Sequence, residues 1–352
     1  MENSKKAVIY WLYFCAFSVV VMMIIGALTR LTESGLSIAV WEPFKGAFPP
    51  VSEEEWNKYF DVYKQTSEFQ KMNNWMKLEH FKGIFWLEYI HRLWGRLIGM
   101  VFLLPLIYFY VRKRIDARLA LRLFLIFCLG GLQGLMGWVM VKSGLEKDAL
   151  NVSHYRLAAH LIIAVAIYGS ILWTIFNLKN PAPRKRSNMV LFGRILVGMV
   201  IFMMILGAFV AGKDAGFAYN TFPLMDGKIV PGGVYRMEPA WLNHFENGIM
   251  IQLQHRMFAY VLTLTVIAFA VVLIKKDRRN LNNALFLIGA IMLQMTLGIS
   301  TLLSFGTYFD MGGDYAYHKV LDTPVILGAA HQLGAVILLT AVLKAIHSAS
   351  RR

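Results

Sequence analysis

"LEYIHRLWGR" (87–96) and "LQHRMFAYVL" (253–262) each set a His-Arg pair just inside a long apolar run. Two more histidines sit in matched settings, "LAAHLIIAV" (157–165) and "GAAHQLGAV" (328–336). Ionisable groups inside a membrane span are expensive and mark function by default, so the fold turns on whether these runs span. The composition says that they do. Of 352 residues, 57% are hydrophobic and only 16% charged, with mean hydropathy +0.51; a soluble domain carries about 25% charged residues.

Working outward, eight apolar runs appear, at about 8–30, 88–111, 119–141, 155–178, 190–212, 249–274, 283–304 and 322–346. Each is near the ~20 residues that a spanning helix needs. The net charge of +15 is not spread as a nucleic-acid footprint. Basic clusters fall before run 1 (Lys5, Lys6) and after runs 2, 4, 6 and 8. These are Arg112-Lys113-Arg114 with Arg118, Arg184-Lys185-Arg186, Lys275-Lys276 with Arg278-Arg279, and Arg351-Arg352. By the positive-inside rule both termini are cytoplasmic. The outward connections are then 31–87, 142–154, 213–248 and 305–321. The first, with EEEWNKYFDVYKQTSEFQKMNNWMK (53–77), reads either as an amphipathic helical cap or as a solvated loop. Cys15 and Cys128 lie inside apolar runs and read as small buried hydrophobes, with no disulfide framework. The first apolar run follows the short polar start MENSKK, is long enough to span and ends without a small-residue cleavage site; with no long Arg/Ser-rich transit segment either, a bacterial inner-membrane protein is expected.

The chain repeats itself. "IIGALTRLTESGLSIAVWEPFKG" (24–46) echoes "ILGAFVAGKDAGFAYNTFPLMDG" (205–227), aligning Gly26 with Gly207 and Gly35 with Gly216. "LQGLMG" (132–137) echoes "LQMTLG" (293–298). The halves, 1–180 and 188–352, are joined by the basic linker KNPAPRKRSN. Four spans per half keep both halves in one orientation. The expected fold is therefore all-α: eight transmembrane helices as two tandem four-helix bundles, related by a pseudo-twofold along the membrane normal.

His91, His160, His255 and His331 fall on runs 2, 4, 6 and 8, which all cross from outside to inside. At 1.5 Å rise per residue they lie roughly 5–13 Å below the outer edge. One such His alone reads first as a hydrogen bond to a neighbouring helix, and only second as a ligand. Four at matched depth in a duplicated frame point to metal or heme. Two facing neutral imidazoles suit a six-coordinate heme iron. No Cys, Asp or second His lies within a turn to complete a zinc tetrahedron. Arg92 and Arg256 read as partners of propionates, as residues snorkelling to headgroups, or as both. His80, His154, His244 and His318 precede the same spans and read as interfacial polar residues or as surface contacts for a passing heme. His347 reads as solvated. One difference breaks the repeat: Glu88, three residues before His91, stands where the second half has Gln252. Glu88 shares the His91 helix face. It is either a helix-start carboxylate or a proton-handling group beside a bound heme. On the second reading chemistry occurs at the first half's heme, and the second half's heme carries electrons.

"EYIHR" (88–92), "LTRLTESGLSI" (28–38) and the paired HR/AAH pattern resemble the heme A synthase family over essentially the whole chain. The resemblance implies oxidation of a ring methyl of heme O to the formyl of heme A, for terminal oxidases. It implies two steps, the first to an alcohol and the second to a gem-diol that loses water. Glu88 would be the catalytic carboxylate; His91 and His160, with Arg92, would hold the substrate heme. His255 and His331, with Arg256, would hold a heme b cofactor through axial ligation. Some members carry a cysteine pair in the first outer loop; this chain has none there. Implied partners are heme O synthase, oxidase assembly factors, an unidentified electron donor, the lipid bilayer and a second copy of the chain, with no nucleic acid. Two rivals share the histidines: a diheme b-type quinol-oxidising cytochrome, and a transporter of parallel repeats. The transporter would break its helices in mid-membrane, and only Pro105 and Pro324 fall within the spans.

Overall fold

The computed structural model describes residues 2–40, 45–181, 187–310 and 320–350. Arg184, Lys185, Arg186, His318, Arg351 and Arg352 lie outside the described residues. Ten α-helices are labelled here. The long ones are α1 (Glu2–Leu31), α3 (Leu78–Val111), α4 (Ala117–Gly144), α5 (His154–Lys179), α6 (Asn188–Gly212), α8 (Gly248–Lys276), α9 (Leu281–Asp310) and α10 (Thr323–Ala349). The short ones are α2 (Glu53–Tyr63) and α7 (Asn243–Glu246). The eight long helices are apolar and long enough to cross a bilayer, and the chain is an all-α, multi-pass membrane protein.

Each expected span is present, but α3 starts ten residues before the apolar run that marks it in the sequence. The extra turns alternate charged and aromatic residues, so hydropathy alone misses them. Their apolar face, Phe81, Ile84 and Phe85, is buried under α2. Of the two readings of the outer segment, the cap holds. Ser52 and Glu55 form a capping box at the start of α2, satisfying backbone donors that the first turn leaves free. Trp56, Phe60 and Tyr63 follow at helical spacing and are all buried. Ring centroids of Trp56 and Phe85 lie 4.9 Å apart, and those of Phe60 and Phe81 5.1 Å. Such aromatic pairs add to the stabilisation from buried area.

α1, α5, α6 and α10 pack on one another at the centre, with α3 and α4 flanking α1 and α5, and α8 and α9 flanking α6 and α10. Hydrogen bonds stitch the central four together. Tyr168 and Thr340 share hydroxyls at 2.8 Å, and Gln332 Nε2 donates to Met23 O at 2.8 Å. The main apolar core, including Leu12, Leu123, Ile171, Leu196, Phe269, Leu287 and Val342, fills the end of the bundle away from the cap. All four intramembrane histidines stand on the cap side of that core. No spanning helix among the described residues is broken: Pro105 lies inside a continuous α3, and Pro324 sits in the first turn of α10, where proline is tolerated. The interrupted helices of a transporter are therefore not found there.

Two smaller expectations need correction. Cys15 is buried, but Cys128 is exposed on α4, because α4 packs mainly on α5 and turns most of its surface outward. His347 is buried rather than solvated, with its ring 5.4 Å from Trp173 and 5.5 Å from Phe176. The aromatic pair on α5 covers it.

Candidate functional site

Each of the four histidines lies against a glycine of the preceding long helix. A Cβ on Gly26 (α1) would meet His91 Nε2 at 3.3 Å, and one on Gly137 (α4) would meet His160 Cε1 at 3.0 Å. A Cβ on Gly207 (α6) would meet His255 Cε1 at 3.4 Å, and one on Gly298 (α9) would meet His331 Cε1 at 2.8 Å. The aligned glycines of the sequence repeat are thus ring-clearing positions. Bulk there would push the imidazole off its place.

The second member of each pair is held alike. Gln133 Nε2 lies 3.1 Å from His160 Nε2, and Gln294 Nε2 lies 3.4 Å from His331 Nε2. The Nδ1 atoms of His160, His255 and His331 are buried without a hydrogen-bond partner. A buried polar atom left unpaired is costly. One ring nitrogen on an amide with the other open is the pattern of a metal-bound imidazole with its supporting hydrogen bond. The His255 and His331 ring centroids stand 6.3 Å apart. An imidazole nitrogen sits about 2 Å from a metal, so two rings across one iron centre are about 6 Å apart. The second pair therefore fits a bis-imidazole iron. Among the described residues no group of three His, Cys, Asp or Glu could chelate a bare ion.

The His-Arg arginines also act in parallel. Arg92 Nη2 donates to Ile38 O at 2.7 Å and Nη1 to Val40 O at 3.4 Å. Arg256 Nη2 donates to Tyr219 O at 2.8 Å and Nη1 to Thr221 O at 2.8 Å. Ile38 and Val40 follow Gly35 at the spacing by which Tyr219 and Thr221 follow Gly216. Each guanidinium therefore clamps the segment that leaves α1 or α6.

The Glu88 carboxylate is 2% exposed and fully engaged. Ser37 Oγ donates to its Oε2 at 2.7 Å and Ile38 N at 2.8 Å. Arg92 Nε donates to Oε1 at 3.0 Å, and Arg92 Nη2 joins it there. Charge-assisted bonds of this kind offset the desolvation of a buried carboxylate. In the second half Ala218 stands where Ser37 would be. Gln252 Nε2 instead donates to Tyr219 O at 3.1 Å and Gly216 O at 3.4 Å. The acid and its hydroxyl donor are both replaced.

Among the described outer histidines, His80, His154 and His244 each make a local hydrogen bond. His80 Nδ1 accepts from Lys77 N at 3.2 Å. His154 Nε2 lies 2.9 Å from Phe245 O, and His244 Nδ1 lies 3.0 Å from Gln254 Nε2. Sequence reasoning missed Ser37 and the two amides, Gln133 and Gln294, as site residues. The glutamines and Gly137/Gly298 were visible as the LQ…G echo but carried no stated role.

The fold and site define a class: a multi-pass membrane protein with two matched imidazole pairs, one of them beside a buried carboxylate. The comparisons with known proteins agree. The family profile described as cytochrome oxidase assembly protein, COX15-CtaA, matches residues 9–308. The chain is 44% identical to the heme A synthase of Nitrosospira multiformis over 358 residues, covering 99% of this chain and 95% of that protein. It is 42% identical to that of Nitrosomonas eutropha, covering 97% and 93%. It is 44% identical to that of Rhodospirillum centenum, covering 95% and 86%. The chain belongs to the heme A synthase family.

Proposed function

We propose that the chain is a membrane oxidoreductase that converts heme O to heme A by oxidising a ring methyl to a formyl group. The observation that carries this reading is the asymmetry between two otherwise matched sites: Glu88 with Ser37 in one, Gln252 with Ala218 in the other. The first half, 1–180, is the substrate module, and the second, 188–352, the cofactor module. They are related by an axis along the membrane normal. Both termini face the cytoplasm of a bacterial inner membrane.

His91 and His160 flank the substrate heme, and His255 and His331 hold heme b. When bound, heme b supplies reversible electron transfer. The protein's residues place and protonate. Gly26 and Gly137 clear space beside the first pair of rings. Arg92 holds both the Glu88 carboxylate and the carbonyls of the outer segment. A base fixed on three sides keeps its position as the methyl group is brought to it. Glu88 takes a proton at its carboxylate during each of the two oxidations. Arg92 and Arg256, each next to a histidine, would be the cations available to heme propionates. The electron donor, heme O synthase and oxidase assembly factors are the expected partners, with self-association open to the same preparation.

Extraction and chromatography of hemes from purified protein tests this. Heme O, its alcohol or heme A alongside heme b is the expected yield. Heme b alone at two per chain would instead make the protein a diheme electron carrier.

A further inference from the structure

The stretch LTRLTESGLSI (28–38) does more than place the Ser37 and Ile38 donors on Glu88. Its arginine reaches across to the second half. Arg30 Nη2 donates to Ala211 O at 2.6 Å and to Asp214 Oδ1 at 2.8 Å. The other carboxylate oxygen, Asp214 Oδ2, accepts from Asn151 Nδ2 at 3.1 Å. Asp214 belongs to the second half by sequence, yet side chains of the first half hold both its oxygens. The Arg30 side chain is 14% exposed, so this charge-assisted bond is partly shielded from water.

The repeat sets the pair apart. The register that aligns Gly26 with Gly207 puts Arg30 on Ala211 and Glu33 on Asp214. Arg30 thus donates to the carbonyl of its own aligned counterpart, and the second half has no arginine to return the contact. Glu33 and Asp214 both adopt the left-handed conformation, φ 52° and φ 50°. Such a conformation in a non-glycine residue persists only where its surroundings hold it. Arg30 lies against both acids, 3.9 Å from Glu33 and 2.8 Å from Asp214. Burial, against the Arg30 charge and together with that of Asp214, pushes Glu33 up to about 7. Asp214 is therefore the steadier partner of the guanidinium.

From Arg30 a bonded turn leads to Glu88. Glu33 N donates to Arg30 O at 3.2 Å, and Ser34 N to Thr29 O at 2.9 Å. The Thr32 and Ser34 hydroxyls meet at 2.7 Å, and Ser37 N donates to Ser34 O at 3.4 Å. Ser37 Oγ and Ile38 N then hold the carboxylate at 2.7 and 2.8 Å. Thr29, Thr32, Ser34 and Ser37 are all buried. Their aligned positions, Val210, Lys213, Ala215 and Ala218, carry no hydroxyl. The hydroxyl-bonded turn exists only in the half that has the acid.

We infer that Arg30 and Asp214 are positioning residues for Glu88: together they fix the turn that presents Ser37 and Ile38 to the carboxylate, so a residue of the second half sets the geometry of the acid in the first. The inference rests on the proposed function, in which Glu88 handles protons at the substrate heme. Neither residue touches Glu88. Each acts through the turn, and loosening it lets the carboxylate drift from its place beside the methyl group.

The test uses the full-length, heme-loaded protein as wild type, R30Q, R30K, D214N, the R30Q/D214N double variant and Y155F. Asparagine tolerates the left-handed conformation as aspartate does, so D214N removes the charge and spares the backbone. Y155F is the control. It breaks a different tie between the halves, the Tyr155 hydroxyl on Glu246 Oε1 at 2.6 Å, which does not lead to Glu88. R30Q and D214N should each lower kcat for heme A formation roughly ten- to a hundredfold, as a misplaced catalytic group does, with KM nearly unchanged. The double variant should lose no more than R30Q, because both changes remove one hold. R30K, which keeps the charge and its donors, should restore part of the rate. The b-type absorbance should stay as in wild type throughout. The infrared carboxylate band that Glu88→Gln removes should shift in R30Q and D214N and stay in place in Y155F. An unshifted band, a wild-type kcat in D214N, or an equal loss in Y155F would overturn the inference. The infrared comparison needs no turnover, and D214N decides it even if R30Q does not fold. Failure of the proposed function reads differently: the wild type would make no heme A, while the band would still report whether Arg30 and Asp214 hold Glu88.

Discussion

The two halves of this protein hold their histidines in the same way and differ at the carboxylate. Gly26 and Gly207, Gly137 and Gly298, Gln133 and Gln294, and Arg92 and Arg256 do the same work in each half. The pair Glu88–Ser37 has no counterpart, because Gln252 and Ala218 stand in its place. In the proposed function the shared frame serves heme binding, and the difference marks the half whose heme would react. Under the proposed function, that one acid–hydroxyl pair is what separates the reacting site from the electron-carrying one.

The strongest way to break the comparison is to make the halves alike. Glu88→Gln should keep both hemes and lower heme A formation by about 10²–10⁴-fold, the usual range for losing a general base. Heme analysis of the purified variant checks it; undiminished heme A would sink the catalytic role. The reverse change, Gln252→Glu, should not create a second reacting site. Its carboxylate would face Tyr219 O and Gly216 O, with no Ser37-like donor. Next in size is ligand loss. His255→Ala should abolish the stable b-type absorbance, whereas His91→Ala should leave it in place. The opposite pattern would exchange the roles of the halves.

A subtler change sharpens the ring-clearing role of the glycines. A Cβ on Gly298 would meet His331 at 2.8 Å, while one on Gly289 of the same helix would meet nothing within 4 Å. Gly298→Ala should therefore displace the ring and cost about 1–3 kcal/mol, as overpacking does, seen as a shifted heme spectrum and weaker heme retention. Gly289→Ala should leave the spectrum alone and add slightly to thermal stability, since alanine is the better helix former. Identical spectra in the two variants would remove the glycines from the site.

The eight spans were legible because runs near twenty apolar residues have few alternatives. The His and Glu88 positions stood out because ionisable groups are rare at that depth. The outer turns of α3 were hidden: Phe81, Ile84 and Phe85 look like scattered apolar residues until Trp56 and Phe60 cover them. Ser37 was hidden for another reason. Its bond to Glu88 joins residues 51 apart, and it depends on how the chain turns after α1, which no periodicity encodes. Gln133 and Gln294 could have been found, since each lies in the repeated LQ…G element one turn from a ring-clearing glycine. The burial of Glu68, 2% exposed under the cap, could not, because nothing in SEFQ distinguishes a buried acid from a solvated one.

The smallest expected effect separates the two outer segments by sign. Burial raises the folded pKa values of Glu68 and Glu33 from the 4.5 of an ordinary glutamate to about 8 and about 7. Between those limits the folded cap binds more protons than the unfolded chain. Its stability therefore falls as pH rises from about 4.5 to about 8, then levels. Glu246, on α7 in the second half, goes the other way. Burial raises its pKa, but hydrogen bonds from Tyr155 and Lys213 outweigh burial and hold it below the ordinary value. Its contribution is present above the ordinary glutamate pKa and is lost as pH falls through the folded one. Hydrogen exchange of residues 53–77 and 213–248, corrected for intrinsic rate, should show the first segment loosening toward alkaline pH and the second toward acid. Glu68→Gln should flatten the upper part of the first curve, leaving the Glu33 portion, and leave the second curve unchanged. If both segments respond with one sign, the buried acids of the cap are not the groups that set its pH response.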